Sequence, residues 1–273
     1  FYLKALRIRE EVLDAKHPDL ASSYNNLGTI YLKKEDYGRA EEFNLKALRI
    51  REEVLDAKHP HLACSYNNLG TDYCAKGDYD RAEVFHLKAL RIYEEVLDAK
   101  HPDLADSYNN LGCVYRNKGD YGRAEEFYLK ALRIREEVLD AKHPDLASSY
   151  DRLGNAYYSK EDYDRAEEFH LKALRIREEV LDTKHPDLAS SYSNLGSTYL
   201  FKGNWKKAEE LHLKALGIRE EVLDAKHPHL ACSYNNLGTD YNAKGDYDRA
   251  EEFHLKALRI REEVLDAKHP DLA

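Results

Sequence analysis

The 273 residues contain no methionine and a single tryptophan, and all seven prolines sit in one dipeptide, His-Pro. Proline is therefore kept out of every helix interior, where it would remove a hydrogen bond and clash with the preceding turn. No run approaches the ~20 apolar residues that a bilayer-crossing helix needs, so no membrane span is expected. Lys and Arg number 42 against 51 Asp and Glu, a formal charge of -9. That balance leaves no basic stripe with which to displace counterions from nucleic acid. The four cysteines, 64, 74, 113 and 232, show no C-x2-C spacing. Cys64 and Cys74 on one helix would stand ~15 Å apart at ~1.5 Å per residue, too far for a disulfide. Free thiols in a reducing, cytoplasmic compartment are the expectation. No Walker loop, G-x-G-x-x-G, G-x-S-x-G or H-E-x-x-H is present, so neither an enzyme nor a cofactor or metal site is expected. The first residue falls in mid-pattern and no signal-peptide architecture precedes it. The chain reads as a piece of a longer protein.

What is present is periodicity. His-Pro recurs at His17, His59, His101, His143, His185, His227 and His269, a constant spacing of 42 residues. Six full repeats follow, 17–58, 59–100, 101–142, 143–184, 185–226 and 227–268, with partial repeats at 1–16 and 269–273. Self-similarity at such a period marks a solenoid, in which no unit buries its own apolar face and stacked neighbours share a continuous core. The expectation is one elongated domain over 1–273. Repeats 2 and 6 differ only at Cys74/Asn242, Val84/Glu252 and Tyr93/Arg261.

Each repeat predicts two helices. Pro18 suits a first helical turn, and Asp19 complements the positive end of the helix dipole. The first helix is expected over 18–33. Gly77, Gly119, Gly203 and Gly245 supply left-handed stops, whereas Glu35 and Glu161 are weaker ones. The second helix is expected over 37–56. At ~100° per residue, Leu20, Tyr24, Leu27, Gly28 and Tyr31 share the packed face of the first helix. Ser22, Asn25, Asn26, Thr29, Leu32 and Lys33 share a largely polar one. On the second helix, Ala40, Phe43, Ala47, Leu48, Ile50, Val54 and Leu55 span an arc too wide for one partner helix. That helix is expected to touch its own repeat and the next.

The pattern Tyr66, Leu69, Gly70, Tyr73, Asp78, Tyr79, Ala82, Ala89 and Leu90 resembles the tetratricopeptide repeat. The period exceeds the usual ~34, and the extra length in A-L-R-I-R-E-E-V-L, with H-P-D-L-A, closely resembles the kinesin light chain type. The resemblance implies an all-α fold, an alpha-alpha superhelix of helix-turn-helix repeats whose first helices line a concave groove. It implies a scaffold or adaptor that binds an extended protein or peptide segment there. In this class an asparagine ladder holds the peptide backbone, and the matching residues are Asn26, Asn68, Asn110, Asn194 and Asn236. Arg152, beside Asp151, interrupts the ladder.

The candidate peptide-binding set is Asn25, Asn26, Asn67, Asn68, Asn109, Asn110, Arg116, Asp151, Arg152, Asn155, Tyr158, Asn194, Asn235 and Asn236. An amide can both donate to and accept from a peptide backbone, and so reads main chain without selecting sequence. Specificity would come from Leu32, Cys74, Arg116, Tyr158, Leu200, Phe201 and Asn242. Lysines 34, 76, 118, 160, 202 and 244 could form a rail for an acidic partner, and compensation of the helix dipole accounts for them as well. Among the 13 histidines, His86, His170, His212 and His254 occupy an aromatic-tolerant slot on the second helix. Packing is the expectation for them. The alternative functions are a spacer or array that self-associates end to end, and a sensor arm of a larger signalling protein.

Overall fold

The computed structural model describes residues 2–266, and every element among them is an α-helix. The chain divides into two compact units, 1–138 and 139–273. The first unit holds α1 (Tyr2–Val12) and three hairpins: α2 (Pro18–Lys33) with α3 (Tyr37–Val54), α4 (Pro60–Ala75) with α5 (Tyr79–Val96), and α6 (Pro102–Asn117) with α7 (Tyr121–Val138). The second holds α8 (Pro144–Ser159) with α9 (Tyr163–Val180), α10 (Pro186–Phe201) with α11 (Trp205–Val222), and α12 (Pro228–Lys244) with α13 (Tyr247–Asp266). Within each unit a second helix packs on its own first helix and on the first helix of the next repeat. Successive first helices also touch. No described helix is long and apolar enough to cross a membrane.

The His-Pro dipeptide starts each first helix in a way the sequence did not show. The imidazole Nδ1 of His17, His59, His101, His143, His185 and His227 accepts the backbone N–H two residues on, at 3.1–3.2 Å. A ring nitrogen thus does the capping work usually left to Ser, Thr, Asp or Asn. The second helices α3, α5, α7, α9 and α11 end two residues sooner than expected, α3 at Val54 rather than Asp56, while α13 runs to Asp266. The Asp56 carboxylate accepts the Lys58 N–H at 2.9 Å and its carbonyl accepts the His59 N–H at 2.9 Å. This local turn competes with the helix and leaves Leu55 extended.

First helices stop on a left-handed residue. Gly77, Gly119, Gly203 and Gly245 have φ of 76–80°, and Glu35 and Glu161 adopt φ of 59° and 61° in the same place. The next N–H closes back on the tyrosine carbonyl five residues earlier, as in Asp162 to Tyr157 at 2.9 Å. A residue with a Cβ pays about 1 kcal/mol for that backbone. Glu161→Gly is therefore expected to raise stability by about 0.5–1 kcal/mol, read as a higher urea midpoint at unchanged slope.

The core follows the sequence phase except at Val54, expected in the packed stripe but 40% exposed at the end of α3. In the first unit Leu6, Leu20, Ala21, Leu27, Tyr31, Ala40, Ala47 and Ile50 are buried together. In the second, Leu174, Leu188, Leu195, Tyr199, Ala208 and Leu211 form one cluster, and Leu216, Leu230 and Leu237 another. Small residues set the helix spacing. A Cβ on Gly70 would meet the His86 ring at 2.6 Å, and one on Gly112 the Tyr128 ring at 2.5 Å. These glycines are where second-helix rings sit on the first helix. Between repeats, lysines reach glutamates one repeat on, as in Lys58–Glu95 at 3.0 Å and Lys226–Glu263 at 3.1 Å. All these pairs are well exposed and contribute little.

Candidate functional site

The first helices carry two neighbouring polar columns, and the structure separates them. Asn26 is exposed and Asn68, Asn110, Asn194 and Asn236 are half-buried. None of these five amides has a hydrogen-bond partner among the described residues. Arg116, Arg152, Asn155 and Tyr158 are also half-buried. The preceding column, Asn25, Asn67, Asn109, Asp151 and Asn235, turns ~100° away and faces the second helices.

Asn25, Asn67 and Asp151 of that inner column belong to a polar network rather than to an open face, whereas Asn109 is buried with neither amide atom hydrogen-bonded. Asn25 donates to Asn44 Oδ1 at 3.3 Å and accepts from Arg51 at 2.6 Å when its amide satisfies both neighbours. Arg51 also donates to Ser65 Oγ at 2.7 Å and to the His61 carbonyl at 3.0 Å, and Asn44 donates to Asp72 Oδ2 at 2.7 Å. In the next repeat His86 Nδ1 meets Asn67 Oδ1 at 3.0 Å, and Asn67 donates to Ser107 at 3.3 Å. Burial pushes the His86 pKa down to about 4, so its ring is neutral near pH 7 and Nδ1–H is the donor. Asn109 is buried and Asn235 half-buried. In the second unit Asp151 accepts from Arg177 and lies 3.2 Å from His170 Nδ1, and Arg177 donates to Ser191. His212 Nδ1 sits 2.6 Å from Asp240 Oδ2, with its other nitrogen 3.3 Å from the Ser193 carbonyl.

The histidine slot is thus packed and also hydrogen-bonded at His86, His170 and His212, whereas His254, expected to pack in the same way, is exposed. Its one acceptor comes from the same repeat where residue 67 or 151 supplies it. Where the fifth repeat has Ser193 in that place, Asp240 of the next repeat supplies it instead. Asp72 and Asp240, both fully buried, had no signal in a single repeat. Comparing repeats could have found them, because an acid replaces Ile30, Val114, Ala156 and Thr198 at only these two positions.

Burial pushes the Asp72 carboxyl from its ordinary 3.8 up to about 6, against the opposing Asn44 bond. The folded chain then binds a proton between pH 4 and 6 that the unfolded chain does not, so stability falls as pH rises through that window. The gap is worth roughly 3 kcal/mol above pH 6. Asp72→Asn keeps a partner for Asn44 and is expected to stabilise the chain at pH 7 by up to about that amount. Urea titrations should show the advantage vanishing toward pH 4.

Four of the six lysines of the rail are engaged in the fold. Glu41, Glu83, Glu167 and Glu209 of one repeat each accept from a tyrosine hydroxyl and a lysine of the next. The tyrosine bonds, from Tyr73, Tyr115, Tyr199 and Tyr241, measure 2.6–2.7 Å, and the lysines are Lys76, Lys118, Lys202 and Lys244. Of the proposed anchors, Leu32 and Leu200 lean on the core. Cys74 is half-buried, and burial beside Cys113 pushes its thiol up to about 11. Asn242 and Phe201 are exposed. No group of three or more His, Cys, Asp or Glu among the described residues is arranged to hold a metal.

Hairpins stacked within each unit so that a second helix packs on its own first helix and on the next, with an amide column on the first-helix face, define a helical-repeat solenoid. The chain belongs to the tetratricopeptide repeat family, whose model matches residues 1–53, 61–137, 114–179, 145–221, 187–263 and 229–273. No curated protein matches it. Among solved structures it is similar to a kinesin light chain-like protein of Podosopora anserina with nearly identical repeats, at 24% identity and TM-score 0.66, over 76% of this chain and 98% of that one. BtubC (BKLC) of P. vanneervenii aligns at 25% identity and TM-score 0.65 over 92% of both chains. The apo form of RapI aligns at 18% identity and TM-score 0.74 over 97% of this chain and 90% of that one. These neighbours include kinesin light chain-like tetratricopeptide proteins, and repeats of this family mediate protein–protein interaction.

Proposed function

We propose that this chain is a non-catalytic adaptor that grips an extended segment of a partner protein on the face of its first helices. Asn26, Asn68 and Asn110 in the first unit, and Asn194 and Asn236 in the second, are the gripping residues. The supporting observation is the contrast between adjacent columns: Asn25, Asn67 and Asp151 bond inward. The five amides beside them keep donor and acceptor available. Each backbone contact contributes ~0.5–1.5 kcal/mol, so five give ~2.5–7.5 kcal/mol before ordering costs. Side chains such as Arg116, Arg152 and Tyr158 then set affinity and choice of sequence. That Cys64, Cys74, Cys113 and Cys232 form no disulfide fits a reducing, cytoplasmic setting.

The test is a folded triple variant, Asn68→Ala, Asn110→Ala and Asn236→Ala, assayed on an array of extended peptides. Loss of more than about tenfold in affinity is expected, at ~0.5–1.5 kcal/mol per contact. Undiminished capture by the variant would move the site off this face.

A further inference from the structure

Arg51, Arg135, Arg177 and Arg219 occupy equivalent places on the second helices, and their need for a negative charge is met unevenly. Arg135 donates to Asp106 Oδ1 at 2.6 Å, 29 residues earlier on the first helix of its own repeat. Arg177 is paired with Asp151. Arg51 and Arg219 are buried as deeply as Arg177, yet they bond only neutral groups and have no ion pair among the described residues. Burial lowers the pKa of both guanidinium groups. A desolvated cation without a counter-charge is costly, and an anion brought beside it is correspondingly well held.

The same step of 29 residues back from Arg51 and Arg219 reaches a serine in both cases, Ser22 and Ser190, where the third repeat has Asp106. Ser22 is exposed and Ser190 half-buried. Their hydroxyls donate to the Pro18 and Pro186 carbonyls at 3.4 and 3.2 Å. A second guanidinium stands beside each: Arg9 bonds Ser23 and the Asp19 carbonyl, and Arg177 bonds Ser191. Asp19 and Asp187 lie one turn earlier, but Asp103 precedes Asp106 in the same way, and all three carboxylates stand 3.8–3.9 Å from their own capping histidine. The nearby Glu10 and Glu178 each accept a tyrosine hydroxyl at 2.8 Å. Asp106 shows what a charge at this place does. Asn25 accepts from Arg51, whereas Asn109, its equivalent beside Arg135, has neither amide atom bonded.

We infer that Ser22 and Ser190 are phosphorylation sites, whose phosphate gives Arg51 and Arg219 the counter-charge that Asp106 gives Arg135. A serine kinase carries the γ-phosphoryl group of ATP to Oγ: the Oγ–P bond forms, the P–O bond to ADP breaks, and the hydroxyl proton goes to the kinase's base. The product offers up to two negative charges and three acceptor oxygens, which the guanidinium fork takes up. At Ser22, Arg9 completes a two-arginine clamp. At Ser190, Asp151 already holds Arg177, so Arg219 acts alone and the grip is weaker. Pairing draws Arg51 off Asn25, as Arg135 is drawn off Asn109. Ser148 has the same place in the fourth repeat, but its arginine is Arg177, already spent on Asp151. None of this depends on the amide column.

Two measurements on the whole chain test this. In the first, phosphoserine is placed at position 22 or 190 by nonsense suppression, and its phosphorus NMR shift is followed against pH beside a blocked phosphopeptide of the same local sequence. The expected midpoint lies at least ~0.5 pH below the ~6 of the peptide, because a neighbouring cation favours the dianion. Arg51→Gln should return the phosphate at position 22 most of the way to the peptide value, Arg9→Gln part of the way, and Arg219→Gln should act likewise at position 190. Arg51→Lys replaces Arg51→Gln if far-UV circular dichroism shows lost helix, and should keep an intermediate midpoint because it retains charge without the fork. In the second, the unmodified chain is incubated with ATP and a panel of serine kinases, and mass spectrometry is expected to map label to Ser22 and Ser190 ahead of the other serines. Phosphates that titrate as in the peptides, midpoints unmoved by every arginine replacement, or absence of label at both serines overturns the inference.

Discussion

Leu69→Ala is expected to cost ~2–5 kcal/mol, whereas Asn68→Ala, one residue earlier, should leave stability within ~0.5 kcal/mol. Leu69 is completely buried in the first unit, on the face where α4 meets α5. Truncation removes its transfer free energy and leaves a cavity that close-packed helices cannot collapse into. Asn68 is half-buried on the other side of the same helix with no internal bond to lose. Urea unfolding of the two variants checks this, and equal destabilisation would place Asn68 in the fold rather than on a binding face. Because repeats couple mainly to neighbours, the Leu69→Ala transition should also broaden as the array loses cooperativity.

Arg177→Ala should cost ~3–5 kcal/mol, as much as a core truncation, although arginine is ordinarily a surface residue. Its guanidinium is buried and bridges Asp151 in its own repeat to Ser191 in the next. Removing it strands the Asp151 carboxylate, whose remaining partner is His170 at 3.2 Å. The penalty is that of an unpaired buried charge rather than the worth of the pair. Adding Asp151→Ala to Arg177→Ala is therefore expected to recover part of the loss, and a double-mutant cycle by urea denaturation measures how much. A purely additive cycle would show that the two side chains do not act together. Arg51 and Arg219 bond Ser65 and Ser233 in the same way, at 2.7 and 2.6 Å, without a carboxylate at hand. Arg177 should therefore be the most sensitive of the three.

Much of this architecture was legible along the chain. The 42-residue period placed every hairpin, proline and glycine marked the helix ends, and the 100° phase picked out Leu20, Leu27, Leu69 and Ala47 as core. Local rules suffice for such features because each concerns residues within a few positions of one another. The misreadings came where coverage arrives from far along the chain. Lys76 looked like part of a rail until Glu41, 35 residues earlier, lay against it. Nothing within its own repeat marks Asp72, whose partner Asn44 lies 28 residues earlier. The His-Pro imidazoles, marked along the chain only by their spacing, are caps.

Order along the chain and the choice of helical hairpins were therefore settled locally, by spacing, caps and apolar phase. Which of two adjacent amides faces outward was not. Asn25 and Asn26 have the same chemistry and differ by one step of helix rotation. Only the stacking of second helices, which brings Asn44 and Arg51 against one and leaves the other open, tells them apart. A polar side chain becomes structural or available according to what packs over it, and in a solenoid that cover comes from the second helices.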